Sequence, residues 1–334
     1  MTEMTLDDVA VRSTGVLDEV ERAVVGKRPE LELILLAILA DGHILVEDYP
    51  GLAKTLVARS FAQVLDLGFA RIQFTPDLLP ADVTGSSVYR QADATFEFRP
   101  GPVFTNLLLA DEINRAPPKT QSALLEAMAE RQVTVDGTTR ALPDPFLLLA
   151  TENPIEHEGT FPLPEAQLDR FFLKTALGYP GADDELQIIR EQRHGHPLKH
   201  LQPAITIEEL RALHDAVEEI YVDELIEHWI VALVRATREL DTVAIGASVR
   251  GSLALERAVR AWSLLHGRAY ATPEDVERLF LPVLGHRIIF TPLFLAETRA
   301  EGYEHALERF CQACLEAAPR PEQGDAELVL LEQP

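Results

Sequence analysis

The chain has 334 residues, room for two domains at the usual ~100–200 residues each, and its 47% hydrophobic and 25% charged residues suit a globular protein with a core. A balance of 30 Lys+Arg against 54 Asp+Glu gives a net charge of −24, a field that repels nucleic acid and argues against it as a stable partner. The longest apolar stretch, 31–40, is far short of the ~20 residues that cross a bilayer, so no membrane insertion is expected.

Residues 1–22 have the spacing of an amphipathic helix, with Thr5 and Asp8 placed as a capping box. Asp8, Asp18 and Glu19 precede any apolar run, the opposite of a signal peptide's basic start, so the expected compartment is the cytoplasm. From Ile44 to about Tyr179 short apolar strands alternate with helical segments, the sign of a parallel sheet covered on both faces. A strand is expected at 44–47 (ILVE) and a helix over 54–65. Further strands at 70–75, 106–110 and 146–150 read as buried on both faces because they lack alternation.

Residues 178–203 turn polar and hold three prolines, which marks a linker. Beyond it the sequence is helical throughout. Thr206 with Glu209, and Thr272 with Pro273 and Asp275, mark helix starts. The expected organisation is a core over 1–180, a linker over 181–203, a helical domain over 204–317 and a loose tail over 318–334. Cys311 and Cys314 are spaced CxxC, but their helical context favours a structural pair over a redox or metal site. His194, His196 and His200 read as solvated linker histidines, having no carboxylate or cysteine partners nearby.

Three motifs carry chemistry. YPGLAKT (49–55) follows a strand and opens a helix. A phosphate loop needs small residues so that backbone N–H groups can wrap phosphates, a lysine to bridge them and a hydroxyl for Mg²⁺. Gly51, Lys54 and Thr55 meet those needs, and the helix N-terminus adds its dipole. In the pattern GxxxxGK[ST] the first glycine falls on Asp48 and the second on Ala53. Ala53 is small enough for close approach. Asp48 either points an acid toward the phosphates or caps the loop.

LLLADE (107–112) is an apolar strand ending in two carboxylates. At the carboxyl edge of a parallel sheet Asp111 can hold a Mg-bound water and Glu112 can polarise the attacking water, although such a pair also simply starts helices. ATEN (150–153) is another strand tip. Asn153 there can orient water and report the γ-phosphate, or cap the turn at Asn153-Pro154. Arg170 and Arg250 follow and open helical runs, where a single arginine is ordinarily a surface or ion-pair residue.

Taken together, PGLAKT, RIQFTPDLLPADVTG, FEFRPGPVF, LLLADEINRAPPKTQSALLEAM, ERQVTVDG, LATENPIEHEGTFPLPEAQLDRF and LGYP resemble the MoxR group of AAA+ ATPases. The match runs from about Val25 to Tyr179 and continues more weakly through GASVRGSLAL and ATPEDV to about Arg287. The resemblance implies an α/β P-loop NTPase core with a C-terminal helical lid, ATP and Mg²⁺ as cofactors, and a ring, usually a hexamer. It further implies a chaperone that assembles or activates client proteins, often ones with von Willebrand factor A domains.

By motif position, Lys54 and Thr55 carry over as the phosphate-loop pair (Walker A), with Pro50, Gly51, Leu52, Ala53 and Leu56 around them. Asp111 and Glu112 carry over as the Mg and catalytic carboxylates (Walker B), with Thr55 and Asp111 the metal-holding residues. Asn153 matches sensor 1, Arg170 the arginine finger and Arg250 sensor 2, while Val25 and Gly26 fall where the family lines the adenine. Segments 85–101 and 131–143 read as inserted hairpins, the second with Asp136-Gly137 suited to a two-residue turn. Such hairpins either project toward a ring's pore or merely extend the sheet. The leading functional expectation is a protein-remodelling ATPase, and the alternative is a nucleic-acid motor. Against the latter stand the net charge and the mixed signs of Arg90, Asp93, Glu97 and Arg99.

Overall fold

Thr5 and Asp8 close the capping box expected of them: the Thr5 N–H donates to Asp8 Oδ2 at 3.1 Å and the Asp8 N–H to Thr5 Oγ1 at 3.2 Å. The helix they open, α1 (Leu6–Glu21), begins the computed structural model, which describes residues 5–92, 94–154, 159–191, 193, 195–300 and 302–321. Residues 1–4, 93, 155–158, 192, 194, 301 and 322–334 lie outside the described residues, among them Asp93, His194 and most of the expected tail. Two compact units emerge, residues 11–214, and residues 1–10 with 215–334.

The first unit continues through α2 (Arg28–Leu39), β1 (Ile44–Glu47), α3 (Lys54–Val64), β2 (Phe69–Gln73), α4 (Pro80–Thr84), β3 (Gly85–Arg90), β4 (Thr95–Pro100) and β5 (Leu107–Asp111). It then runs through α5 (Pro118–Glu130), β6 (Gln132–Val135), β7 (Thr138–Ala141), β8 (Leu147–Glu152), α6 (Glu165–Leu168), β9 (Leu173–Thr175), α7 (Ala182–Glu191) and α8 (Ile207–Glu218). Five strands form one sheet in the order β2-β5-β8-β1-β9, every pair parallel. β8 therefore lies between β1 and β5. The runs LLLAD of β5 and LLLAT of β8 are buried along their whole length, as strands covered on both faces must be. Leu108, Ala110, Leu148 and Ala150 from these two strands share a core with Phe74, Phe146 and Phe171. Truncating a fully buried leucine such as Leu108 to alanine would cost about 2–5 kcal/mol.

β2 departs from the expected double burial. It is an edge strand, with Ile72 buried and Arg71 and Gln73 exposed. The alternation is present in the sequence after all: Ala70, Ile72 and Phe74 form one face, Arg71 and Gln73 the other. The expected hairpins form, β3 against β4 and β6 against β7, each antiparallel. Asp136 (φ 52°) and Gly137 (φ 75°) make the left-handed turn of the second.

Residues 181–203 are not a bare linker. They carry α7 and a 3-10 turn at Pro197–His200, and the compact unit runs on to His214. The helix is explained by Asp183, Asp184 and Glu185 in its first turn and Arg190 in its last, charges that complement its dipole. None of its residues is buried, which is why its composition looks like a linker's.

The second unit holds α9 (Glu224–Glu239), β10 (Val243–Ile245), α10 (Val249–Leu265), α11 (Pro273–Leu284), β11 (Ile289–Phe290), α12 (Pro292–Thr298) and α13 (Tyr303–Ala317). It is helical as expected except for an antiparallel ribbon of β10 and β11. These strands span three and two residues, too short for period-two patterning to be visible. Phe280, Phe290 and Phe310 pack ring to ring at 5.4–5.8 Å in its core. The thiols of Cys311 and Cys314, both free, are pushed up by burial to about 11 and about 12, so neither is a populated thiolate at neutral pH. Among the described residues no helix is long and apolar enough to cross a membrane.

Candidate nucleotide site

Three strand ends converge at the carboxyl edge of the sheet. β1 leads into the loop 48–53, where Gly51 (φ 84°) and Ala53 (φ 57°) are left-handed and Lys54 and Thr55 open α3. A left-handed alanine costs about 1–2 kcal/mol, strain of the kind that collects where the backbone must wrap a ligand. Lys54 Nζ donates to the carbonyls of Asp48 and Tyr49, the latter at 3.0 Å. Burial holds its pKa below the usual lysine value, against the opposing pull of Asp48, Asp111 and Glu112. Those named carboxylates therefore all lie within electrostatic reach of one ammonium.

β5 delivers Asp111 and Glu112 one strand beyond β8. Thr151, fully buried on β8, is the hub between them: its hydroxyl donates to Asp111 Oδ1 at 2.7 Å and accepts the Glu112 N–H at 2.9 Å. Asp111 Oδ2 receives Arg71 of the edge strand, 2.6 Å from its terminal nitrogen and 3.2 Å from Nε. Glu112 Oε2 accepts from Gln73 at 2.7 Å and from Arg115 at 3.0 Å. Glu112 itself sits at φ 57°, a left-handed conformation unusual for a residue with a Cβ.

Asn153 is buried just past the end of β8, and the Asp48 N–H donates to the carbonyl of the preceding Glu152 at 3.1 Å. Glu152 faces Glu47 in register on β1; burial, with Glu47's charge adding and Lys174 opposing, pushes its pKa up to about 7. Val25 is buried and Gly26 is left-handed at φ 72°, in the turn between α1 and α2. The neighbouring Lys27 Nζ donates to the Tyr179 carbonyl at 2.9 Å, and the Tyr49 and Tyr179 rings stack at 6.1 Å.

Arg170 is elsewhere. β9 starts at Leu173, level with Ile44 at the start of β1, so Arg170 precedes the amino end of its strand. Its guanidinium donates to the Leu125 carbonyl at 2.7 Å, and its Nε is buried with no hydrogen-bond partner among the described residues. A sheet strand's length separates it from the carboxyl edge, about 13 Å for a four-residue strand. Arg250 lies in the second unit, in the first turn of α10, where Ser248 caps its N–H at 3.1 Å.

The donor set suits Mg²⁺. Thr55 and Asp111 would offer it hard oxygen donors, and among the described residues no group of three or more His, Cys, Asp or Glu forms a closed cage. Mg²⁺ characteristically keeps several waters and takes one or two carboxylates plus substrate phosphates.

The sequence motifs led to Lys54, Asp111, Glu112 and Asn153 but missed Arg71, Gln73 and Thr151. Period-two alternation in β2 was the signal for the first two, since it puts both on one face beside the Asp-Glu strand.

Relatives place this arrangement in a family. Residues 43–173 match the model of the ATPase family associated with various cellular activities (AAA), and residues 235–305 match that of an AAA lid domain. Chaperone MoxR1 of Mycobacterium tuberculosis is 44% identical over 288 residues, 84% of this chain and 76% of that protein. The uncharacterized protein YeaC of Bacillus subtilis is 46% identical over 310 residues, covering 93% and 95%. A crystal structure from Cytophaga hutchinsonii, assigned provisionally as an ATPase, superposes with a TM-score of 0.86 at 39% identity, covering 95% of this chain and 97% of that one. A P-loop sheet with a helical lid and relatives of this closeness leave one assignment: the chain belongs to the MoxR family of AAA+ ATPases.

Proposed function

We propose that the chain hydrolyses ATP to ADP and phosphate at the carboxyl edge of the sheet and uses the cycle, as a ring, to remodel client proteins. The observation that carries the first half is the convergence of Lys54 at a helix N-terminus with Asp111 and Glu112 two strands away at the same edge of the sheet. Lys54 bridges the β- and γ-phosphates, and the backbone N–H groups of 51–55 wrap them. Mg²⁺, when bound with the nucleotide, neutralises phosphate charge, with Thr55 and Asp111 holding it. Glu112 orients and polarises the attacking water, Asn153 positions it from the adjacent strand tip, and Thr151 ties the Asp111 carboxylate to the Glu112 backbone. Val25 and Gly26 line the base, and Arg250 of the lid senses the γ-phosphate.

The reading as a ring rests on Arg170. A finger at the amino edge cannot complete its own site, so it serves a neighbour's through a head-to-tail contact, and the family resemblance makes the closed form of that assembly a hexamer. Client engagement falls to the two hairpins, the first of which exposes Tyr89 and Phe96, paired at 5.3 Å beside Arg90 and Glu97. Similarity to a chaperone supports a protein client, with von Willebrand factor A domains the first candidates, acting in the cytoplasm.

The test separates binding from turnover. By calorimetry and phosphate release, Lys54→Ala should lose ATP binding, whereas Glu112→Gln should bind ATP and turn over at least about 10²-fold more slowly. Equal loss of binding in both variants would sink the division of roles. Tight, steeply salt-dependent duplex binding would move the client from protein to nucleic acid.

A further inference from the structure

Asp48 stands where phosphate loops of this pattern carry glycine, and the residue is only 4% exposed. A buried carboxylate is costly unless donors surround it. Here both oxygens are turned onto backbone N–H groups: Oδ1 accepts from Tyr49 at 2.9 Å, and Oδ2 from Leu177 at 2.7 Å and Gly178 at 2.8 Å. Three N–H donors to one carboxylate are charge-assisted bonds, among the stronger kind. The acid is therefore satisfied by the loop and by a segment 129 and 130 positions distant in sequence.

That segment has a second attachment. Tyr179 gives its carbonyl to Lys27 and its ring to Tyr49. A few residues on, the Asp184 carboxylate lies only 2.2 Å from where a Cβ on Gly26 would stand, so the turn at 25–27 and the start of α7 are in close contact. The phosphate loop, the 177–184 segment and the 25–27 turn are thus one stitched unit, and Asp48 is the stitch on the phosphate side.

We propose that Asp48 is a positioning residue that locks the nucleoside side of the site, 25–27 and 177–184, to the phosphate loop. Affinity for the nucleoside part of ATP depends on it, while affinity for the polyphosphate part does not. The inference rests on the nucleotide site proposed above. It also explains why an acid is tolerated there: with both oxygens engaged by N–H groups, its charge is compensated within the protein.

The experiment is calorimetric titration of the full chain, in Mg²⁺, with ATP and separately with inorganic tripolyphosphate. Asp48→Gly restores the usual glycine and removes the stitch. Asp48→Asn keeps the size but loses the charge and turns an NH₂ group onto one of the donors. ATP binding should weaken about ten- to a hundredfold in Asp48→Gly and less in Asp48→Asn, with tripolyphosphate within about twofold of wild type in both. Equal weakening of both ligands would overturn the proposal, because Asp48 would then merely shape the phosphate loop. Unchanged ATP affinity would overturn it too. Wild-type protein binding neither ligand is a different failure, that of the nucleotide site itself. Should Asp48→Gly not fold, the near-isosteric Asp48→Asn carries the same comparison.

Discussion

At the carboxyl edge of the sheet the charged groups mostly meet other side chains; at the amino edge they mostly meet backbone carbonyls. The carboxylates of Asp111 and Glu112 accept from Arg71, Gln73 and Arg115, side chains that are exposed or partly exposed. Across the sheet, His43 Nε2 bonds the Met128 carbonyl at 3.1 Å, Arg131 bonds those of Phe146 and Asp41, and Arg170 bonds that of Leu125. A backbone carbonyl cannot swing away without unfolding its element, whereas a side-chain partner can exchange for a metal or a phosphate. The carboxyl edge is therefore built to change partners and the amino edge to stay closed. Lys54, seated on two loop carbonyls, and Asp48, seated on three backbone N–H groups, are exceptions at the carboxyl edge.

Arg170 gives the largest test of this contrast, because it sits at the closed edge yet is assigned to chemistry. Its single carbonyl bond and partnerless Nε leave donors over. If it serves the neighbouring site, Arg170→Ala should keep ATP affinity and lose about 10³-fold or more in turnover, the worth of an arginine finger. Specific activity of the wild type should rise with protein concentration. Mixing Arg170→Ala with Glu112→Gln should restore part of the activity, since mixed rings set an intact Glu112 opposite an intact Arg170. No recovery in rings shown to mix would return Arg170 to the purely structural group.

How far the sequence foresaw this contrast depends on the kind of signal. Runs such as LLLAD and LLLAT announce buried parallel strands, and a phosphate loop after one strand with an Asp-Glu pair after another fixes the order of the carboxyl edge. Arg71 and Gln73 escaped although they alternate with Ala70, Ile72 and Phe74, because which strand their face lies against appears only once β2 is laid beside β5. The ties of Asp48 to Leu177 and Gly178 escaped for another reason: they are backbone N–H donors, which carry no residue identity to read. Arg170's position at the amino edge needed the register of β9 against β1.

A middle-sized effect comes from His43. Its Nδ1 accepts the Leu148 N–H at 3.1 Å, so Nε2 carries the proton donated to Met128, and the ring is neutral. Burial first, and then the charge of Arg131, push its pKa down to about 3. The unfolded chain takes up this proton near pH 6.5, the folded one only near pH 3, so between those values the unfolded state binds more protons and stability falls as pH drops. Above about pH 6.5 the contribution is flat, and below it the limiting slope is about 1.4 kcal/mol per pH unit. Unfolding free energies from urea titrations at pH 7.5, 6, 5 and 4 should differ between wild type and His43→Gln by that slope, since the opposite contribution of Glu152, pushed up to about 7, is common to both. Identical slopes would mean that the amino edge is not closed around a neutral ring.

The smallest effect belongs to Arg71, and it probes the exchangeable edge directly. The ion pair with Asp111 is geometrically good at 2.6 Å, but the Arg71 side chain is 46% exposed, and such pairs contribute only about 0–1 kcal/mol. A cation arriving at Asp111 has to displace or share with that guanidinium, so the pair is a tax on metal binding no larger than its own strength. Arg71→Gln removes the tax, and at 1.4 kcal/mol per tenfold the gain is at most about fivefold in affinity. Mn²⁺ titration followed by electron paramagnetic resonance, without nucleotide, should then show tighter binding in Arg71→Gln by about two- to fivefold, and turnover should reach half-maximum at correspondingly lower Mg²⁺. Weaker Mn²⁺ binding in the variant would reverse the picture. Arg71 would then be orienting Asp111 for the metal, and the carboxyl edge would be preorganised in the same sense as the amino edge.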